Sequence, residues 1–343
     1  MRVTVWDELV GQQAVVQQLQ VAAADAHLVP AGPAMTHAWL MTGPPGSGRS
    51  TAALAFAKAL MCRNGGCDHC DDCRDIGNGA HPDVEIIRPE GISYRTADAR
   101  ALVTRSSIAP SRGRWHVIVI EDADRMTEAA NNVLLKAIEE PPPRAVWLLC
   151  SPSVEDVLPT IRSRCRTLGL KPLASADIAR VMAANDVKGS AEERAAIANL
   201  AEGSAGRALS IAAGGGLDLY REIASLLMGL PKLNVKAVHA LADKVARRGA
   251  DEAYQTTVEL LNDWLQRLVK TGAGAAPQAD LAPGEGAAMA RLAASGGLDR
   301  WVEVWEKINQ SVARAEALNT DRKLVILNIF SMLESVAGER IGV

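Results

Sequence analysis

The sequence is poor in aromatic residues: two Phe, three Tyr and seven Trp among 343 residues, 3% in all. Its cores must therefore be built from Ala, Leu, Val and Ile, a mixture that leans to helix. It also lacks a charge excess. The formal net charge is −3 and neither half forms a basic arm, which excludes autonomous nucleic-acid binding by bulk charge. No apolar run reaches the roughly 18 residues that a membrane helix needs, so no membrane partner is expected. The first residues, Met1-Arg2-Val3-Thr4-Val5-Trp6-Asp7-Glu8, do not read as a signal peptide, and a cytoplasmic location is expected. There, six cysteines point to metal or redox chemistry before disulfides. What the chain does have is apolar content, 48%, enough for two or three packed domains.

The apolar residues divide the chain in two. Residues 9–28 have helical spacing, and a Pro/Gly loop follows at 29–33. Trp39-Leu40-Met41, Val84-Glu85-Ile86-Ile87, Trp115–Ile120 and Ala145–Cys150 read as short buried strands. Helices are expected over 50–61, 97–107 and 128–140, the last stopped by Pro141-Pro142-Pro143. Strands alternating with helices imply a parallel sheet covered on both faces. Beyond about residue 170 the strand signal disappears. Helices are expected over 175–186 and 191–212, with Ser175 and Ser190 as N-caps. A hinge is expected at Gly214-Gly215-Gly216, then helices through 217–270 and 287–337, with an Ala/Gly/Pro-rich loop at 272–286 between them. The expected domains are 1–170, 171–214 and 215–343.

Gly43-Pro44-Pro45-Gly46-Ser47-Gly48-Arg49-Ser50 has the spacing of a phosphate loop between a strand and a helix. Glycines there let successive N–H groups converge on phosphate oxygens, and the helix adds its N-terminal dipole. Gly43, Gly46, Ser47, Gly48, Arg49, Ser50 and Thr51 are the candidate ligands of ATP or ADP, with Ser50 on Mg²⁺. The alternative is a Gly/Pro-rich turn that holds nothing. Arg49 stands where lysine is usual, and a planar guanidinium is a poor substitute in a tight loop; efficient hydrolysis is not expected. Glu121 and Asp122, in Glu121-Asp122-Ala123-Asp124, end a buried strand where acids hold Mg²⁺ and orient water. The usual Asp-then-Glu order is reversed, and a base displaced by about 1 Å can cost on the order of 10²-fold in rate. A solvated cluster at a helix start would look the same. Cys62, Cys67, Cys70 and Cys73 form C-x₄-C-x₂-C-x₂-C, which suits a structural, closed, tetrahedral Zn²⁺. His69 replacing one thiolate, or four free thiols, are the alternatives. Cys150 reads as a small core residue.

These motifs occur in a fixed order, together with Leu134-Leu135-Lys136-Ala137-Ile138-Glu139-Glu140-Pro141-Pro142 and Ser163-Arg164-Cys165. The combination resembles the bacterial DNA polymerase III clamp-loader subunits of the AAA+ class, with the zinc insert narrowing it to gamma/tau and delta-prime. The match covers about residues 5–215 and returns weakly at 319–333. Arg49, the reversed Glu121-Asp122 and the absence of a basic lead-in favour the delta-prime branch. The resemblance implies a RecA-like AAA+ domain with a zinc module, an all-α lid and an all-α collar. It implies that Arg164 is an arginine finger acting in trans, that Ser151 and Arg207 stand at the two sensor positions, and that Val10, Gly11 and Gln12 cup the adenine. The implied partners are gamma/tau and delta in a hetero-oligomeric ring, the sliding clamp, and primed DNA through the assembly. An active motor ATPase using Arg49, or another AAA+ DNA-processing protein, are the alternatives.

Overall fold

The computed structural model describes residues 4–89, 93–213, 215–247, 249–275, 280–318 and 320–338. The first three residues, Gly214 of the expected hinge, part of the 272–286 stretch and Asn319 lie outside them. The chain divides into two compact units, Met1–Asp186 with Ala201–Arg207, and Val187–Leu200 with Ala208–Val343.

The first unit runs α1 (Gln13–Ala26), β1 (Ala38–Thr42), α2 (Arg49–Met61), α3 (Asp71–Gly77), β2 (Val84–Ile87), α4 (Thr96–Ser106), β3 (His116–Ile120), α5 (Glu128–Glu139), β4 (Ala145–Ser151), α6 (Pro159–Arg162), β5 (Arg166–Gly169) and α7 (Ser175–Ala184). The five strands form one sheet in the order β2-β3-β4-β1-β5, and every pairing is parallel. The central strands are buried on both faces, which is why they read as unbroken apolar runs. Alternate residues serve opposite cores. Trp39, Met41, Val117, Val119, Val146, Leu148 and Cys150 pack with α1 and α2. Leu40, Ile118, Ile120, Trp147 and Leu149 pack with α4, α5 and α6. Helix α2 is buried almost all round through Ala52, Ala53, Ala55, Ala57 and Ala59, small residues that allow close seating on the sheet. Phe56 meets Trp39 edge to face at 5.1 Å.

Two elements add to the sequence reading and one expectation is corrected. Strand β5 was not foreseen, because three of its four residues are exposed and only Leu168 is buried; it is an edge strand held by its ladder to β1. Helix α3 lies inside 62–80, which has no apolar period. Ser175 does not cap α7; Ala174 stands at that position without a side-chain bond.

The second unit is helical: α8 (Ala191–Leu200), the end of α9 (Ala205–Ala213), α10 (Gly216–Met228), α11 (Val235–Val245), α12 (Asp251–Gly272), α13 (Glu285–Gly296), α14 (Leu298–Leu318) and α15 (Arg322–Gly338). The expected single helix 191–212 is broken at 201–204, where Glu202 and Gly203 take positive φ. Ser190 does cap α8: its Oγ accepts Glu193 N–H at 3.1 Å, and Glu193 accepts Ser190 N–H at 2.9 Å. Trp264, Trp301, Tyr220 and Phe330 fill the core. Within it Arg267 reaches Glu285 at 3.0 Å, and both contact the Tyr220 hydroxyl. No helix of the described residues is long and apolar enough to cross a membrane.

At the start of β2, Asp83 accepts N–H bonds from Ser111 at 2.6 Å, Arg112 at 2.7 Å and Gly113. Burial alone would raise its pKa, but these donors outweigh it and hold the carboxyl at about 2, below the ordinary 3.8. A folded-state pKa below the unfolded one stabilises fully above about pH 4 and is lost as pH falls through about 2. Asp83→Asn should therefore cost about 2 kcal/mol at neutral pH and flatten the acid limb of the stability profile, as urea unfolding across pH will read.

Candidate functional site

The C-terminal edge of the sheet gathers the candidate residues. The loop 43–48 joins β1 to α2, whose first turn carries Arg49, Ser50 and Thr51, all half-buried. Gly46 has φ 76°, and a Cβ there would collide with the Ser204 side chain; its carbonyl accepts Ala205 N–H at 3.0 Å. A Cβ on Gly43 would lie 2.6 Å from the Leu170 carbonyl and 2.8 Å from Ser47 Oγ. Only glycine permits both approaches. Ser47 Oγ and Arg49 Nη1 are buried atoms with no hydrogen-bond partner. Unsatisfied donors in such a loop fit a phosphate.

Val10 and Gly11 precede Gln12, which contacts this loop. Gln12, 4% exposed, donates to Ser47 O at 3.1 Å and Lys171 O at 2.7 Å and accepts Lys171 N–H at 3.2 Å. It thus clamps the loop to the residues after β5, a role that an isolated glutamine at a helix start does not announce. Gly11 has φ 77°, and its Cβ position is 2.7 Å from Asp177 Oδ2. Arg207 lies in the first turn of α9, its N–H donating to Ser204 Oγ at 3.1 Å. Ser151 pairs with Thr42 in the ladder, but its hydroxyl is spent on the Ser153 carbonyl at 2.9 Å.

The acids are arranged differently from what the sequence alone conveys. Glu121 follows β3 and is gripped by Arg88, Nε to Oε2 at 2.6 Å and Nη2 to Oε1 at 3.2 Å. Asp122 takes φ 48° and is 4.0 Å from Arg125 Nε. Cys150, opposite this edge, is buried and its thiol is pushed up to about 12 by burial, against the opposing effect of Arg49; it is the inert core residue expected. Cys165 is likewise pushed up to about 12 by burial.

Arg164 is exposed. It reaches Glu139 at 2.6 Å and the Thr160 carbonyl at 2.7 Å. Its neighbour Arg166 is spent within the fold, on the Ala34 carbonyl at 2.8 Å and over the Trp39 ring at 5.4 Å.

Cys62 ends α2, Cys70 opens α3 and Cys73 lies in its first turn. The four Sγ atoms lie within 4.8 Å of one another. Cys62 is 3.6 Å from Cys67 and 3.7 Å from Cys70. Tetrahedral bonds of about 2.3 Å imply S···S edges of about 3.8 Å, so the donor set fits Zn²⁺. Cys62 also accepts N–H bonds from Asn64 at 3.3 Å and Cys67 at 3.4 Å. Burial raises the Cys67 thiol, but the N–H groups of His69 and Cys70 outweigh it and hold it at about 6. The His69 ring contacts the Cys67 carbonyl at 2.6 Å and is not one of the four clustered donors. Lys58 to Asp68 at 2.6 Å, and Arg112 to Asp72 at 3.0 Å and Asp75 at 2.6 Å, pin this module to the α/β core.

The protein is a parallel α/β fold with a glycine loop between β1 and α2, acids after β3 and a four-cysteine module. Residues 11–174 match the family model described as DNA polymerase III, delta subunit. DNA polymerase III subunit delta' of Bacillus subtilis is 37% identical over 142 residues, 40% of this chain and 43% of that protein. The gamma/tau subunit of Mycobacterium tuberculosis is 34% identical over 162 residues, 46% of this chain and 27% of that one. The chain thus spans less than half the length of these relatives. A gamma-subunit-related protein from Thermotoga maritima superposes with a TM-score of 0.49 at 19% identity, covering 93% of this chain and 99% of that one. Residues 11–174 are thus similar to the delta-prime and gamma/tau subunits of DNA polymerase III.

The sulfur geometry has a direct test. Co²⁺ titrated into the reduced, metal-free chain should give the visible spectrum of a tetrahedral four-thiolate site, saturating at one equivalent. Cys70→Ser should shift that spectrum to a three-sulfur one; an octahedral spectrum would contradict the geometry.

Proposed function

We propose that the chain is a delta-prime-type subunit of a bacterial DNA polymerase III clamp loader and helps place the sliding clamp on primed DNA. In this reading it works in the cytoplasm, in a hetero-oligomeric ring with gamma/tau and delta, and meets the clamp and DNA through that assembly. Residues 1–170 serve as the RecA-like AAA+ domain, 171–214 as the lid and 215–343 as the collar through which subunits associate. Zn²⁺ on Cys62, Cys67, Cys70 and Cys73 is structural, since four thiolates leave no open position. Arg164 completes the neighbouring subunit's ATP site, stabilising charge on the transferring phosphoryl group. The chain's own loop holds nucleotide weakly or without turnover.

The observation that supports this most is a contrast. Arg164 is presented at the surface, while the chain's own site has arginine at the lysine position and Glu121 engaged by Arg88. Arg164→Ala should leave the mass of the assembled loader unchanged and slow turnover at the neighbouring site by about 10³-fold or more. Unchanged ATPase in that assembly would refute the finger. ATP hydrolysis by the isolated chain that is lost in Gly48→Val would refute the inactive site.

A second reading has its own support: the tau subunit of Bacillus subtilis aligns over 276 residues, 76% of this chain, at 29% identity. In it the chain is a motor whose Arg49 serves as the phosphate residue. Arg49→Lys separates the two. A large gain in hydrolysis marks a degenerate loop, and a loss marks a loop tuned to arginine.

A further inference from the structure

The pair Arg88–Glu121 is built into the sheet. Ile87 and Ile120 are partners in the β2–β3 ladder, and the ladder continues with Glu121 N–H donating to Ile87 O at 3.0 Å. The next residue on each strand is therefore a cross-strand neighbour on the same face. That face is the α2 side, because Val117 and Val119 pack there while Ile118 and Ile120 pack on the other. Tyr94, 3% exposed, holds both strand ends: its hydroxyl contacts the carbonyls of Ile87, at 3.1 Å, and of Glu121. Arg88 then takes both carboxylate oxygens in a fork.

The consequence is that Glu121, unlike a metal-holding acid, already has its charge balanced, while Asp122 reaches Arg125 only at 4.0 Å. A divalent cation arriving at Glu121 meets a carboxylate already neutralised. An anion arriving at the loop meets the buried, unpartnered Ser47 Oγ and Arg49 Nη1 and the first turn of a 13-residue helix. Ser47 is 1% exposed, and its Oγ is turned toward Gly43 across the loop. Mg²⁺ on Glu121 therefore does not fit these residues as they stand.

We propose that Arg88 is the resident counter-cation of Glu121, so that the loop 43–50 binds nucleotide phosphate independently of Mg²⁺, with Arg49 carrying the positive charge a metal would bring. This rests on the reading of the loop as a non-hydrolysing nucleotide site, and it adds to that reading the residue that excludes the metal and the form of ligand taken.

The test is calorimetric titration of ADP into the full chain, with and without added Mg²⁺ in metal-free buffer rather than chelator, so that the cysteine site is left alone. The variants are Arg88→Gln, Arg88→Lys and Arg88→Gln with Glu121→Gln, each checked for folding by its thermal melt; Arg88 is largely exposed. Mn²⁺-induced broadening of the ADP phosphorus resonances gives a readout independent of heat. Wild type should bind ADP equally with and without Mg²⁺. Arg88→Gln should gain roughly tenfold from Mg²⁺, Arg88→Lys less, and the double variant nothing. Wild-type affinity that already depends on Mg²⁺, or an Arg88→Gln chain that gains nothing, overturns the inference, as does wild type that binds no ADP. Asp124, whose Oδ1 is buried and unpartnered, is the rival carboxylate; Mg²⁺ dependence of wild type that vanishes in Asp124→Asn would also overturn it. ATP turnover by wild type, measured alongside, would instead refute the non-hydrolysing reading beneath it, so the two failures are separable.

Discussion

The structure depends on one constraint: a five-stranded parallel sheet must be covered on both faces. Parallel strands need crossover connections, and the connecting helices bury both sides. That burial makes β1, β3 and β4 apolar throughout and leaves their C-terminal ends as the place where polar residues emerge together. The loop 43–48, Glu121 and Ser151 meet because the strands carrying them are adjacent in the order β3-β4-β1. The scarcity of aromatic residues has a counterpart here. Alanines on α2 bring the helix close to the sheet, and so bring its first turn, with Arg49, onto the sheet edge.

On that frame the proposed chemistry follows from the electrostatics. A phosphate-loop site that hydrolyses needs a slim cation in the loop and a free acid opposite it. This chain has a bulky cation and an acid tied to a second cation. Arg88 is largely exposed while the Glu121 carboxylate it holds is nearly buried, and in the proposal above the pair sets the charge available to a ligand. Arg164 stands apart from its neighbours in the same way. Arg166 is absorbed by the Trp39 ring and a carbonyl, whereas Arg164 holds the exposed carboxylate of Glu139, the Thr160 carbonyl and the Ser163 hydroxyl, surface partners that a phosphate can displace.

Much of this was legible in the sequence. The buried strands were continuous apolar runs, the loop had its glycine spacing between a strand and a helix, and the cysteine spacing foretold the sulfur cluster. What was not legible has physical reasons. Strand β5 shows one buried residue in four and owes its form to the ladder with β1. The break at 201–204 falls inside an apolar pattern that continues across it, with Gly203 as the sole local sign. Arg88 lies 33 residues before its partner Glu121, so no local spacing links them. Gln12 likewise acts on Lys171, 159 residues away. Such pairs are made by strand order, which apolar periodicity does not specify.

The central claim is that this chain completes a neighbour's site without turning over nucleotide in its own. The most direct measurement is the mass and nucleotide content of the chain purified alone and together with clamp-loader partners. The account predicts a chain that forms no ring by itself, shows no ATP turnover, and enters a mixed assembly of fixed stoichiometry. A homo-hexamer that hydrolyses ATP without partners would contradict it.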